Sequence, residues 1–288
     1  MLWWVIFLIV LGSILVFIIF IHFLVFLFFS ICSCLKWDPV IIRNDESVFI
    51  SQQRVGKIMA NCYVLADKKT KQCVVIDCGG QHIQASIEII KSNGFKPIYI
   101  LATHAHFDHI EGTGIMKDAF PSVPFLVHKK GAKVCSRASK QLSDVCMWMI
   151  RRDIIDADDY FDNGSVFKLG PNLSISVLHT PGHSPGSTVF MVYIKKVLTY
   201  AISGDTAVMK GAAPMFWEGS LFWTKMSFVN FLEHIEKEAN RVDLETFKLL
   251  PGHFAPLPFM KIRNGRYAKK AMKWAAKQRE RECLALDI

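Results

Sequence analysis

A cluster of metal-binding side chains constrains the fold of this chain more than any other feature of its sequence. The segment from Thr103 to His109 reads THAHFDH and places His104, His106, Asp108 and His109 within six residues. It follows the apolar run 97–102, which indicates a strand that is buried on both faces. Side chains two apart on extended backbone point to the same side, so His104 and His106 can bind one metal ion. Asp108 and His109 then face a second ion beside it. The cluster predicts a two-metal site at the carboxyl end of a buried strand.

Imidazole and carboxylate ligands of this kind favour zinc, with iron or manganese as the alternatives. We therefore expect two divalent metal ions as cofactors.

Apolar runs alternate with amphipathic stretches from about residue 47 onward, which is the pattern of an α/β sandwich. We predict strands at 48–51, 61–66, 73–77, 97–102, 124–128, around 167, 173–178, 188–194, 197–203 and 247–250. We predict helices at 82–93, from the cluster to residue 120, at 139–152 and at 222–242.

Three more polar residues fall just past strand-like runs: His183, Asp205 and His253. Each has a simple structural interpretation. His183 lies in a Pro/Gly-rich turn that backbone geometry alone could require, Asp205 could cap a helix, and His253 could be a buried histidine with satisfied hydrogen bonds. A layered fold would nevertheless bring four strand ends to one edge, and there these residues would join His104.

Together these motifs resemble the metallo-β-lactamase superfamily. The resemblance rests on HAHFDH (104–109), PGHSPG (181–186), SGDT (203–206) and PGH (251–253), in that order. It implies an αββα four-layer sandwich. It also implies that His104, His106 and His183 bind one metal ion, that Asp108, His109 and His253 bind the other, and that Asp205 bridges them. Asp77 matches an aspartate that supports the metal-binding loop from behind in the family, although Cys78 stands where Pro or Thr is usual.

The stretch GKIMANCYVL (56–65) resembles the glyoxalase II-like branch, meaning hydroxyacylglutathione hydrolases and related thioesterases. The branch implies a small-molecule acyl thioester substrate, linked to glutathione or coenzyme A and attacked by a hydroxide that bridges the two metal ions. Asp108 is the candidate catalytic residue. Class B β-lactamases usually have cysteine at the position of Asp205, so β-lactam hydrolysis is not expected.

Two departures from this branch leave the substrate open. Only about 35 residues follow His253, too few for the helical domain that helps the family's full-length enzymes bind glutathione. The stretch 211–223 is unusually aromatic and forms either a loop packed on the core or an apolar wall for an acyl chain. The alternatives are a phosphodiester or lipid hydrolase of the same superfamily and a non-catalytic metal-binding scaffold. We expect no nucleic-acid partner, because the sequence holds no additional nucleic-acid-binding domain.

The first 35 residues contain no charged side chain. This predicts a retained membrane anchor at 1–36, and the basic residues that follow place the catalytic domain on the cytoplasmic side. A linker at 37–46 and a catalytic domain at 47–256 would follow. Residues 257–288 are predicted to form a basic helix packed on the domain, because residues 256–288 carry nine Lys or Arg and three Asp or Glu. A solvated helix face and a surface for anionic substrates or lipid both fit this charge.

Overall fold

The chain divides into two units, Met1–Lys36 and Trp37–Ile288. The computed structural model describes residues 2–34, 38–56, 58–132, 155–208, 211–213, 220–238 and 242–286. Within the first helix, side chains are described at 3–4, 6–7, 9–24 and 27.

The N-terminal unit is a helix, α1 (Leu2–Cys34). A membrane span needs about 20 consecutive apolar residues. Within the residues that the structure describes, no helical stretch has the length and apolar content to cross a membrane. This finding contradicts the predicted single-pass membrane localisation and the cytoplasmic orientation that was derived from it.

In the described part of the second unit, a seven-stranded sheet keeps its strands in chain order. Its strands are β1 (Val40–Asn44), β2 (Val48–Val55), β3 (Ala60–Asp67), β4 (Gln72–Ile76), β5 (Lys96–Leu101), β6 (Phe125–His128) and β7 (Asp159–Phe161). Pairing is antiparallel from β1 to β4 and parallel from β4 to β7. The parallel connections contain α2 (Gln84–Ser92), α3 (Phe107–Ile110) and α4 (Thr113–Ala119).

A six-stranded sheet forms from the later part of the described chain, in the order β13-β12-β11-β10-β9-β8. Its strands are β8 (Val166–Lys168), β9 (Leu173–His179), β10 (Thr188–Ile194), β11 (Val197–Gly204), β12 (Lys248–Pro251) and β13 (Leu257–Pro258). β11 and β12 are parallel, so the chain crosses over between them through α5 (Leu221–Lys237). Two helices, α6 (Phe259–Arg263) and α7 (Arg266–Leu286), follow the last strand.

The two sheets pack face to face, and helices cover their outer faces. Tyr63 of the first sheet and Phe190 of the second belong to one fully buried cluster between the sheets. On the outer face of the first sheet, Ile87 of α2 packs in a cluster with Val75. On the outer face of the second, Phe228 of α5 and Ala271 of α7 share a cluster with the sheet. The chain therefore has the predicted αββα four-layer architecture.

The predicted elements agree with the structure except at short or edge elements. The strand predicted at 97–102 is β5, and the helix predicted at 82–93 appears as a 3₁₀ turn, Gln81–Ile83, followed by α2. Five residues of the predicted linker 37–46 instead form β1, because β2 offers them a free edge to pair with. The helix predicted at 139–152 lies outside the described residues, as does the middle of the aromatic stretch, at 214–219.

Candidate metal centre

Four strand ends deliver polar side chains to one edge of the sandwich. His104 and His106 follow β5, and α3 carries Asp108 and His109. His183 lies in the turn between β9 and β10, Asp205 follows β11, and His253 follows β12. Backbone hydrogen bonds join these ends: Gly252 N donates to Gly204 O at 2.8 Å, and Asn61 N donates to Gly252 O at 2.7 Å.

The seven predicted ligand residues come together there in three overlapping groups. In each group the potential ligand atoms lie within 4.8 Å of one another. The groups are His104, His106 and His183; His104, His109 and Asp205; and Asp108, His109 and His253. The other histidines with described side chains belong to no such group; they are His22, His82, His128, His179 and His234.

Asp205 lies between the first and the third of these groups. Its Oδ2 is 3.4 Å from His183 Nε2 and 3.7 Å from His253 Nε2, and its Oδ1 is 3.8 Å from His109 Nε2. Asp108 Oδ2 is 3.2 Å from His253 Nε2 and 3.5 Å from His109 Nε2. Asp205 thus faces histidines of both groups, whereas Asp108 faces histidines of the third group alone.

Hydrogen bonds behind the centre fix the tautomers of three histidines. His109 Nδ1 donates to Asp77 Oδ2 at 2.9 Å, and His183 Nδ1 donates to the Ala213 carbonyl oxygen at 2.6 Å, since both partners are acceptors only. Thr103 Oγ1 donates to Asp77 Oδ2 at 2.8 Å, so its 3.1 Å contact with His104 Nδ1 requires the proton to be on that nitrogen. In its neutral form each ring therefore keeps its proton on Nδ1 and turns Nε2 toward the centre, which is the tautomer that binds a metal ion.

Buried atoms without a hydrogen-bond partner mark where an ion fits. Among the described residues, buried side-chain atoms without a hydrogen-bond partner include His104 Nε2, His109 Nε2 and Asp205 Oδ1. An unpaired buried polar atom is destabilising by about 1–3 kcal/mol, so three in one place call for a common partner. Nitrogen and carboxylate donors are a suitable ligand set for divalent transition metals. The residues present fit two such ions.

The charges in the centre favour the ligand form of the carboxylates. Burial acts to raise the pKa of Asp108, but the nearby charges of His109 and His253 hold it well below its usual range. Burial also acts to raise the pKa of Asp205, and the same histidines with His183 bring it below its ordinary value. Both carboxyl groups are therefore ionised at neutral pH.

The pKa values of the histidines shift in different directions, depending on the charges beside them. Burial, followed by the charges of His109 and His106, holds the pKa of His104 well below its ordinary value. Burial acts in the same direction on His109, but Asp108 and Asp77 outweigh it and raise its pKa to about 10. A metal ion at His109 Nε2 would replace that proton, because metal binding requires the neutral imidazole.

Three supporting residues are not singled out by the sequence motifs. Thr103 links Asp77 to His104, and the Ala213 carbonyl orients His183. Asn61 donates from Nδ2 to the carbonyl oxygens of Pro251 and Phe254 at 2.8 and 2.7 Å, which holds the turn that carries His253. Asn61 had a detectable signal, an amide side chain inside the apolar run 61–66. A backbone carbonyl such as that of Ala213 has none, because any residue type supplies one.

Two packed sheets between helical layers, with histidines and aspartates gathered at one edge, define a class of metal-binding α/β sandwich enzymes. The chain belongs to the metallo-β-lactamase superfamily, whose family model matches residues 55–253. The superfamily contains metal-dependent hydrolases and related enzymes.

Several relatives and one solved structure illustrate the range of similar proteins. The Probable metallo-hydrolase YqgX of Bacillus subtilis is 33% identical over 157 residues, 54% of this chain and 70% of the relative. Glyoxylase B2 of Dictyostelium discoideum is 27% identical over 57% of this chain and 59% of its own length. The mouse persulfide dioxygenase ETHE1 is 25% identical over 57% and 54%. The crystal structure of the BLEG-1 B3 metallo-β-lactamase, 27% identical, has a TM-score of 0.62 and covers 76% of this chain and 99% of its own. The similarity to glyoxylase B2 and ETHE1 supports the glyoxalase II-like branch.

Proposed function

We propose that this protein is a dinuclear metal-dependent hydrolase of acyl thioesters. The observation that carries the proposal is that three neighbouring ligand residues each have a buried atom without a hydrogen-bond partner: His104 Nε2, His109 Nε2 and Asp205 Oδ1. The similarity to glyoxylase B2 favours a thioester among the substrates that the superfamily uses.

We assign the ligands from the three groups. His104, His106 and His183 would hold one ion, and Asp108, His109 and His253 would hold the other. Asp205 would bridge them, in keeping with its position between His183 and His253. Zinc is the first choice of metal, and iron or manganese would suit the same donors.

Two bound ions would supply an activated water and a Lewis acid for the acyl oxygen. The protein's own residues hold the donors in place and keep them deprotonated. A thiol leaving group, with a pKa of about 8.5, departs as the thiolate without a proton donor, whereas an amine would need one. The absence of a general acid from the predicted site residues therefore fits a thioester.

The test measures activity and metal content of the purified full-length chain. S-lactoylglutathione, a long-chain acyl-CoA, bis-p-nitrophenyl phosphate and a chromogenic cephalosporin serve as parallel substrates. We expect about two equivalents of metal and highest kcat/KM on a thioester. Less than one equivalent after reconstitution, or preference for the phosphodiester or the cephalosporin, would overturn the proposal.

Asp108→Ala tests the role of the catalytic carboxylate, and Asp118→Ala on the exposed side of α4 is the matched control. We expect Asp108→Ala to lower kcat by at least about 100-fold while the fold, followed by circular dichroism, stays intact. Near-normal turnover would refute the role. Because ETHE1 is also a relative, oxygen uptake with a persulfide substrate is measured alongside, and uptake without thioester hydrolysis would favour a dioxygenase.

A further inference from the structure

The segment after Asp205 supports the metal centre from its outer side. The Ala213 carbonyl accepts the 2.6 Å hydrogen bond from His183 Nδ1, and Ala213 N donates to Asp205 O at 3.3 Å. One residue thus contacts both the proposed ligand His183 and the proposed bridging residue Asp205. The position of Ala213 sets the direction in which His183 presents Nε2.

The backbone just before Ala213 is held by paired hydrogen bonds. Val208 and Gly211 exchange backbone hydrogen bonds of 2.7 and 2.8 Å. Gly211 lies against α7. A Cβ added to Gly211 would come within 2.6 Å of the Tyr267 ring, so the backbone at Gly211 passes directly against this ring.

Tyr267 is itself fixed by the packing of α7 on α5. Its ring packs edge-on against Phe228 of α5, with the ring centroids 5.3 Å apart. Further along, Arg279 binds Glu233 through Nη1 at 2.9 Å, and Trp274 packs on Phe222 at 5.1 Å. Helix α7 therefore offers a rigid support for the backbone at Gly211.

We propose that Tyr267 is a positioning residue for the metal ligand His183, acting through Gly211, Ala212 and the Ala213 carbonyl. The proposal rests on the metal centre proposed above but not on its substrate. It gives the C-terminal helix a role in metal binding, although the helix supplies no ligand.

The test is the metal affinity of three full-length variants, measured by competition with a chromogenic chelator and by the visible spectrum of the cobalt-substituted protein. Tyr267→Ala removes the support. Trp274→Ala is the matched control, since Trp274 is also a half-buried aromatic residue of α7 packed on α5. Tyr267→Phe keeps the ring but removes the hydroxyl.

We expect Tyr267→Ala to weaken one of the two metal sites by about 10- to 100-fold, as lost outer hydrogen bonds to ligands do. Trp274→Ala should leave the affinities of both metal sites unchanged. Tyr267→Phe should keep most of the wild-type metal affinity.

A second pair of variants tests the contact itself. Gly211→Ala drives its Cβ into the Tyr267 ring and should weaken the same site. Combined with Tyr267→Ala, which removes that ring, Gly211→Ala should cause no further loss. Such non-additivity is expected only if the two residues act through one contact.

The outcomes separate this proposal from the proposed function. Equal metal affinities for Tyr267→Ala and Trp274→Ala, whether both normal or both reduced, would overturn the positioning role and leave the hydrolase proposal standing. A wild-type chain that binds metal but cleaves no thioester would overturn the substrate and leave the positioning role open to the same measurement. A wild-type chain that binds no metal would end both proposals.

Discussion

At the scale of single residues, Asp77 shows how a buried group can control a site without entering it. It is fully buried behind the centre and accepts hydrogen bonds from the Thr103 backbone at 2.7 Å, from the Thr103 hydroxyl and from His109 Nδ1. Its backbone is in the left-handed region, with φ at 61°. A carboxylate that only accepts hydrogen bonds forces the His109 proton onto Nδ1 and leaves Nε2 for a metal ion.

Asp77→Asn should therefore weaken metal binding although it changes the side chain very little in size. The amide would present a donor to Thr103 or to His109 and disturb the tautomer that Asp77 imposes. We expect a 10- to 100-fold loss of affinity, on the order found for outer partners of metal ligands. Chelator competition measures it. Asp67→Asn is the control, since Asp67 is equally buried and accepts from the backbone of Lys69 and Thr70, but is not among the centre's residues. Equal losses in the two variants would show a general effect of removing a buried carboxylate.

His128 gives the fold a pH dependence that arises outside the set of proposed metal ligands. Its ring is buried and stacks on His179, with the centroids 4.0 Å apart, near Asp162, Lys129 and Lys130. Burial, then the charge of His179, lowers the pKa of His128 to about 4. Between that value and about 6.5 the unfolded chain binds more protons than the folded one, so stability rises with pH in this window.

His128→Gln should flatten this part of the profile. We expect the wild-type free energy of unfolding to fall as pH decreases from about 6.5 to about 4, and the variant to fall less steeply over the same window. Urea unfolding of both proteins in excess chelator measures their free energies of unfolding at each pH. The metal-binding histidines titrate in both proteins, so their contribution cancels in the difference. Parallel profiles would contradict the assignment.

At the scale of elements, the turn after β12 shows why a glycine belongs in PGH. A Cβ at Gly252 would lie 2.4 Å from Asp205 Oδ1 and 2.9 Å from His109 Cε1, so the backbone passes against two proposed ligands. Gly252→Ala should displace β12 or the ligands, with a loss of roughly 1–3 kcal/mol in stability and reduced metal content. Gly131→Ala is the control, because its Cβ would meet no atom closer than 3.6 Å. Thermal unfolding and metal analysis of both variants test this, and a Gly252→Ala protein with normal metal content would contradict it.

The elements also show what the sequence could predict. Long apolar runs such as 188–194 match buried strands because their burial depends on composition, and β10 occupies those residues. The strands β1, β7 and β13 were missed, because runs of two to five residues carry too little periodicity to be recognised and are defined by their pairing with a neighbouring strand. In the site, the order of the motifs was enough to predict that seven side chains lie close together. The carbonyl of Ala213 and the ring of Tyr267 could not be predicted, since they depend on how a turn and a distant helix pack.

At the scale of the whole molecule, the proposed ions would join parts of both sheets. The residues assigned to them follow β5 in the first sheet and the β9–β10 turn, β11 and β12 in the second. The ligands must release protons and approach one another only in the folded chain, so metal binding is coupled to folding. Removal of metal should consequently lower stability across the whole second unit and not only at the site.

The expected size follows from mass action. A metal ion present at 100 times its Kd stabilises the folded state by about 2.7 kcal/mol per site, which is on the order of 5–10 °C in Tm for a domain of this size. We expect the Tm of the metal-loaded protein to fall by at least that amount when an excess of EDTA is added, and to recover when zinc is restored. In Asp108→Ala, which lacks one ligand of the second ion, the same treatment should lower the Tm by a smaller amount. A shift of equal size in both proteins would mean that Asp108 contributes nothing to metal binding, and the assignment of the second site would have to be abandoned.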